Sequence, residues 1–232
     1  MKSLVKLMLR SISKFISMFF EFGILGNYFW ESLVNVIRSR YSNVNYKGVQ
    51  YTFSTPNLLS LYRARTFSTK EPETLAWIDQ INAGSVVWDI GANVGLYSVY
   101  AAKSRGCDVY AFEPSIFNLE LLARNIHLNN LSDKITIVPL PLCEKLSFNT
   151  LKMTSENWGG AMSTFGENFG HDGETIRKVF EYPTIGLSMT EAAELLGIPK
   201  PDFIKMDVDG IEHLILKGGA EVLDHVCGVL VE

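Results

Sequence analysis

Residues 86–99 read VVWDIGANVGLYSV, a run of β-branched and aromatic residues that stops at Asp89 and meets Gly91, Asn93 and Gly95 at once. Val86–Ile90 is apolar almost throughout, the pattern of a central strand buried on both faces. The apolar residues that resume at Leu96, Val99 and Tyr100 follow helical spacing. Strand, glycine turn and helix in succession open a nucleotide-binding half of a parallel sheet. The alternation continues downstream. Strands are predicted at 108–113 (DVYAFE), 134–138 (KITIV), 202–208 (DFIKMDV) and 227–231, and helices from Pro114-Ser115 through Ile126 and over 211–223. Upstream, NYKGVQYTFS (45–54) reads as a strand or hairpin arm. Ser68-Thr69-Lys70-Glu71-Pro72 has the pattern of a capping box, opening a helix through Leu75, Ile78 and Ile81 that closes near Gly84. This predicts an α/β fold, a mostly parallel sheet with helices on both faces. Only 146–187 breaks the rhythm. Gly159, Gly160, Gly166, Gly170 and Gly173 lie among Trp158, Phe165 and Phe169 with no clear period, which reads as a structureless substrate loop or lid.

In an open parallel sheet, ligands bind beyond the carboxyl ends of the strands. Glu113 closes the strand after the glycine turn, where a carboxylate suits the two ribose hydroxyls of an adenosine. A dinucleotide and S-adenosylmethionine both meet that condition. Two residues separate them. A dinucleotide turn needs a second glycine for its pyrophosphate, and here that position is Asn93. Asp89 at the mouth of the turn is unfavourable beside a diphosphate and favourable beside an ammonium or sulfonium group. S-adenosylmethionine carries both cations and no phosphate. In this reading Gly91 and Gly95 let the backbone pass close to the ligand while Asp89 supplies negative field.

KMDVDGIEH (205–213) is a second acid cluster. Lys205, Asp207 and Asp209 alternate and so share one strand face, and Glu212-His213 opens the next helix. The structural reading is a Lys205–Asp207 ion pair with Glu212 as a helix N-terminal acid. The functional one assigns substrate binding or base catalysis to Asp207, Asp209 and His213. Asp207 with Asp209 or Glu212 offers hard oxygens for a divalent cation, but His127, His171, His213 and His225 lack metal-ligand spacing and no metal is assigned. Tyr62, Arg63 and Arg65 serve an anionic-substrate surface or solubility, and Arg124-Asn125 face solvent or cap neighbours. Cys107, Cys143 and Cys227 form no C-x-x-C and read as buried free thiols in a reducing compartment.

The 232 residues carry a net charge of −4 and a hydrophobic fraction of 47%. This is enough for one sizeable core, with no global attraction to nucleic acid. The charge is uneven. Residues 1–47 hold seven basic residues (2, 6, 10, 14, 38, 40 and 47) against Glu21 and Glu31. An N-terminal helical extension over 1–44 is therefore separated from a body over 45–232. The extension resembles a secretory signal at its start. However, Glu21 interrupts the apolar part, no A-x-A cleavage pattern follows, and the segment is too short and charged to span a membrane. It reads either as a helix packed on the body or a partner, or as a basic amphipathic helix on an anionic membrane through residues 1–26.

VVWDIGANVGLYSVYAAK, VYAFEPS, NLELLARNIHLNN and FIKMDVDGIEHLILKGG together resemble the FkbM family of S-adenosylmethionine-dependent methyltransferases. The resemblance covers about residues 84–232. It implies a Rossmann-like methyltransferase fold and O-methylation of a hydroxyl on a sugar, glycan or natural product. Asp89, Gly91, Asn93 and Gly95 would take the methionine part and Glu113 the ribose. Cys143-Glu144 stands where the family often has Ser-Asp, so Glu144 would border the adenine. Asp209 stands where the family commonly has Glu. Such folds usually continue past the fifth strand with two more strands, so the expectation is a domain whose C-terminal strands are missing. The implied enzyme is cytoplasmic or membrane-associated, with a small-molecule or glycan acceptor and no nucleic acid. A nicotinamide-dependent oxidoreductase and a non-catalytic membrane-surface subunit are the alternatives.

Overall fold

The computed structural model describes residues 2–20, 23–170 and 173–232; Glu21 and His171 lie outside them. The chain forms two compact units, Met1–Arg40 and Tyr41–Glu232. The first contains α1 (Lys2–Phe19) and α2 (Gly23–Arg38), joined by a stack of Phe20 on Phe29 at 4.0 Å between ring centroids.

The second unit opens with a hairpin, β1 (Tyr41–Tyr46) and β2 (Val49–Ser54). Lys47 and Gly48 both have positive φ (48° and 80°), as a two-residue hairpin turn requires. Then come α3 (Leu58–Arg65), α4 (Pro72–Ile78), β3 (Val86–Ile90), α5 (Leu96–Arg105), β4 (Asp108–Phe112), α6 (Ile116–Leu128) and β5 (Ile135–Val138). After them run β6 (Ser147–Met153), β7 (Ser163–Phe165), β8 (Phe180–Gly186), α7 (Met189–Leu196), β9 (Phe203–Met206), α8 (Glu212–Lys217), α9 (Ala220–Leu223) and β10 (Gly228–Val231). Five strands form one parallel sheet in the order β10-β9-β3-β4-β5. The chain runs outward from β3 to β5 and returns beside β3 as β9. The order therefore reverses between β3 and β9, the place where open α/β sheets bind ligands. All five core strands lie where sequence alone puts them. Alternate residues feed two cores. Val87, Val109 and Ile135 pack with Tyr51, Leu75, Val99, Leu122 and Ile126. Trp88, Ile90, Phe112 and Met206 pack on the other face with Leu151, Met189, Ile211 and Ile215.

Several expectations are corrected. Segment 146–187 is not structureless, because β7-β6-β8 is an antiparallel sheet. It buries one face only, with Leu151 and Met153 in and Phe148 75% exposed. Pro183 lies in β8, an edge strand, where its missing N–H breaks no ladder. The capping box at 68–72 does not form. Glu71 is the N-cap residue and its side chain makes no cap bond; it binds Lys70 and Tyr97 instead. Capping boxes stand at Asn57/Ser60 and Ser188/Glu191, on helices α3 and α7 that the apolar spacing had not revealed. The helix expected over 211–223 breaks at Gly218-Gly219 into α8 and α9. Cys107 and Cys143 are buried, but Cys227 is exposed.

Candidate active site

The glycine turn is held by backbone contacts before any side chain acts. Gly91 has φ +82°, and a Cβ there would lie 1.9 Å from the Asp207 carbonyl oxygen. Only glycine lets the turns after β3 and β9 come together. Gly95 has a packing role. Its φ is +77°, and an added Cβ would meet Leu122 Cδ1 at 2.3 Å, so it seats α5 against α6. Asn93 adopts φ +51°, which asparagine tolerates better than most residues. Its backbone N–H donates to Glu113 Oε2 at 2.7 Å and its Nδ2 donates to the Gly160 carbonyl at 2.7 Å. Its Oδ1 is buried with no hydrogen-bond partner. Asn125, expected to face solvent or cap neighbours, is buried and donates to the Val94 carbonyl while accepting from the Ser54 N–H.

Parallel register places Asp89 directly beside Lys205. Both are almost fully buried, and Nζ lies 4.0 Å from Asp89 Oδ1. Ser98 Oγ donates to Asp89 Oδ2 at 2.5 Å. Lys205 also faces Asp207 Oδ2 at 3.5 Å and the Tyr97 ring at 5.3 Å. Burial works against its ammonium, but Asp89, Asp207, Glu232 and Glu71 outweigh burial and raise its pKa. Burial raises the Asp89 carboxyl against the opposing pull of Lys205 and Ser98. The buried Lys205 thus sits among several carboxylates.

Glu113 is also buried, and it accepts N–H bonds from Asn93 and Ser115, both at 2.7 Å. Burial pushes its carboxyl up to about 7, against those bonds and the Asn118 side chain. Beside it opens a cleft lined by Gly91, Asn93, Glu113, Leu140 and Leu142 among others. A second cleft lies across the turn against Arg63, Lys70, Glu71, Tyr97 and Lys205. Gly91, Asn93 and Asp207 line both.

The segment before β7 lines the first cleft through Gly160 and Ala161. Arg63 Nε donates to the Gly159 carbonyl at 2.9 Å, and Asn118 Nδ2 donates to that of Gly160 at 3.0 Å. Asp209 Oδ2 accepts from the Met162 N–H at 2.6 Å.

The other expected site residues divide. Asp207 and Asp209 reach the cleft, but β9 ends at Met206, so they stand on the turn and do not share a strand face with Lys205. The Lys205–Asp207 pair forms, and Glu212 accepts from the Val208 and Gly210 N–H groups, which turns it away from a cation. His213 is exposed on α8 and lines neither cleft. Glu144 pairs with Lys217 at 2.7 Å and also lies outside both, whereas Leu140, Pro141 and Leu142 line the first. Among the described residues, no three His, Cys, Asp or Glu side chains converge as a metal site. Lys70, Glu71 and Tyr97 were not anticipated, because their meeting depends on the packing of α4 against α5.

A reversal of strand order, a glycine turn and an acid on the adjacent strand define a Rossmann-like nucleotide-binding α/β protein. Residues 89–232 match the methyltransferase FkbM domain, and the chain belongs to that family of S-adenosylmethionine-dependent methyltransferases. It is 26% identical over 185 residues to the hexuronic acid methyltransferase AglP of Haloferax volcanii, covering 80% of this chain and 71% of that one. Among solved structures, the precorrin-6y C5,15-methyltransferase of Geobacter metallireducens GS-15 matches with 14% identity and a TM-score of 0.41, over 69% of this chain and 60% of that one. The tRNA m1G37 methyltransferase of M. jannaschii matches with 16% identity and a TM-score of 0.39, over 80% and 38%. The match thus spans less than two thirds of either solved chain.

Proposed function

We propose that the chain transfers a methyl group from S-adenosylmethionine to a hydroxyl of a sugar, glycan or comparable small acceptor. The observation that carries this reading is the meeting of two clefts at Gly91, Asn93 and Asp207. One cleft has the apolar wall and the acid suited to an adenosine. The other sets the carboxylates Glu71 and Asp207 among the cations Arg63, Lys70 and Lys205, a mixture suited to a zwitterionic amino-acid end. The orphaned Asn93 Oδ1 and the carboxylates around Lys205 fit S-adenosylmethionine. When bound, that cofactor supplies a methyl group on a sulfonium, open to in-line displacement by an oxygen nucleophile. In this reading Glu113 receives the ribose hydroxyls, and Asp89, with Gly91 and Asn93, sets the field and the backbone approach at the methionine end. Asp207 accepts the proton of the acceptor hydroxyl. Asp209 holds the lid backbone and shapes the acceptor mouth. The similarity to a hexuronic acid methyltransferase supports a sugar-acid acceptor, and Arg63 offers a cation for its carboxylate.

S-adenosylmethionine or S-adenosylhomocysteine at about 100 times its Kd is expected to stabilise the fold by about 2.7 kcal/mol in a thermal melt, and NAD to leave it unmoved. Methyl transfer to hexuronic acids is then expected to exceed transfer to neutral hexoses. A cooperative melt unmoved by either adenosyl ligand would sink the cofactor assignment; equal transfer to neutral sugars would remove the role of Arg63.

The Glu113 value gives a second test. Asp89 and Arg63 are the charged groups that act on it. Ribose hydroxyls bind the ionised carboxylate, so cofactor affinity is expected to plateau above pH about 7 and to weaken about tenfold per pH unit below it. The fold itself responds in the opposite sense. The folded state holds this proton more tightly than the unfolded chain, so its stabilising contribution is present below the ordinary value of 4.5 and is lost as pH rises through about 7. Calorimetric titration across this range checks the affinity. Glu113→Gln is expected to abolish the slope and to weaken binding by about 10- to 100-fold, the loss of a hydrogen bond to a charged group.

A further inference from the structure

We infer that α1 is an in-plane anchor for an anionic lipid bilayer. The helix segregates its residues by chemistry with almost no exception. At about 100° per residue, Lys6, Arg10, Ser13, Lys14 and Ser17 fall within an arc of about 100°. The apolar residues from Leu4 to Phe19 fill an opposing arc of about 200°. Leu4, Phe15 and Phe19 are 73%, 65% and 77% exposed. Ser11 is the one polar residue on the apolar side, and its hydroxyl donates to the Leu7 carbonyl. The helix contains no acidic residue.

Three features choose the occupant. A helix packed on one protein neighbour needs a stripe about 100° wide; this arc is about twice that and matches a helix sunk to its midline at the boundary of headgroups and acyl chains. The opposite face carries only cations and serines, complementary to anionic headgroups. Among the described residues, no helix is long and apolar enough to cross a membrane, so the apolar face lies along the surface.

The test is co-sedimentation of the full chain with phosphatidylcholine vesicles, with and without about one third phosphatidylglycerol. Binding is expected to the anionic vesicles, to weaken at high salt, and to be slight on phosphatidylcholine alone. Lys6→Gln with Arg10→Gln, both at exposed positions, is expected to weaken anionic-vesicle binding about 30-fold. Phe15→Asp is expected to abolish it, with an unchanged melt of the body. Absence of binding to anionic vesicles at low salt would overturn the inference. So would a concentration-dependent dimer that Phe15→Asp dissolves while vesicles still fail to bind, since the face would then belong to a second copy.

Discussion

Gly91→Ala is expected to destabilise the protein by about 3–5 kcal/mol and to remove measurable cofactor binding. Two costs add. A side chain at φ +82° costs about 1–2 kcal/mol in left-handed strain. The new Cβ would also lie 1.9 Å from the Asp207 carbonyl oxygen and 2.8 Å from its carbon. Both atoms are backbone, so relief requires the turns after β3 and β9 to separate. That loosens the Asp207 N–H bond to the Ile90 carbonyl, now 2.9 Å, and opens the junction of the two clefts. Neighbouring glycines supply the controls. Gly84 has φ +77° and open space around a Cβ, so Gly84→Ala should show the strain cost alone. Gly95→Ala meets a terminal methyl of Leu122 and should fall between the two. Denaturant midpoints for the three variants, with cofactor titrations, check the order. Equal losses for Gly84→Ala and Gly91→Ala would mean that the close approach to Asp207 carries no energy.

The same turn explains what the sequence does and does not disclose. Val86–Ile90 and the other four strands of its sheet are legible because buried strands need apolar runs, and helices follow three of the first four. Asp89 and Glu113 are legible because an acid at the end of such a run is costly without a purpose. Contacts between distant elements are not legible. Tyr97 meets Glu71 at 2.5 Å only once α5 lies on α4, and Arg63 reaches Gly159 only once the lid folds over α3. The residues 68–72 mislead for the same reason. Glu71 has the right local spacing for a cap, but Lys70 and Tyr97 hold its carboxyl, against burial, below the usual range. The sheet of β6, β7 and β8 is obscured by Pro183 and by a half-exposed pattern, features that read as loop until β8 is known to be an edge. The contact of Gly95 with Leu122 is hidden for the same reason, since it needs α5 to lie against α6.

Asp207→Asn is expected to lower kcat by about 10²- to 10⁴-fold, the usual cost of losing a general base, while cofactor affinity changes by less than about tenfold. Asp207 lines both clefts and lies 3.5 Å from Lys205, so its carboxylate has a fixed cation behind it and the cleft in front. The amide keeps the size and most hydrogen bonds but cannot take a proton. The other two candidates in the sequence predict different results. Asp209 spends an oxygen on the Met162 and Ser163 N–H groups, so Asp209→Asn should loosen the lid and act mainly on the acceptor KM. His213 is exposed outside the clefts, so His213→Ala should leave both parameters near wild type. Steady-state kinetics with isothermal cofactor titration separates the three. Collapse of kcat in His213→Ala with a near-normal Asp207→Asn would return the proton to the histidine. It would also require α8 to turn during catalysis, because Ile211 and Ile215 bury the opposite side of that segment in the core.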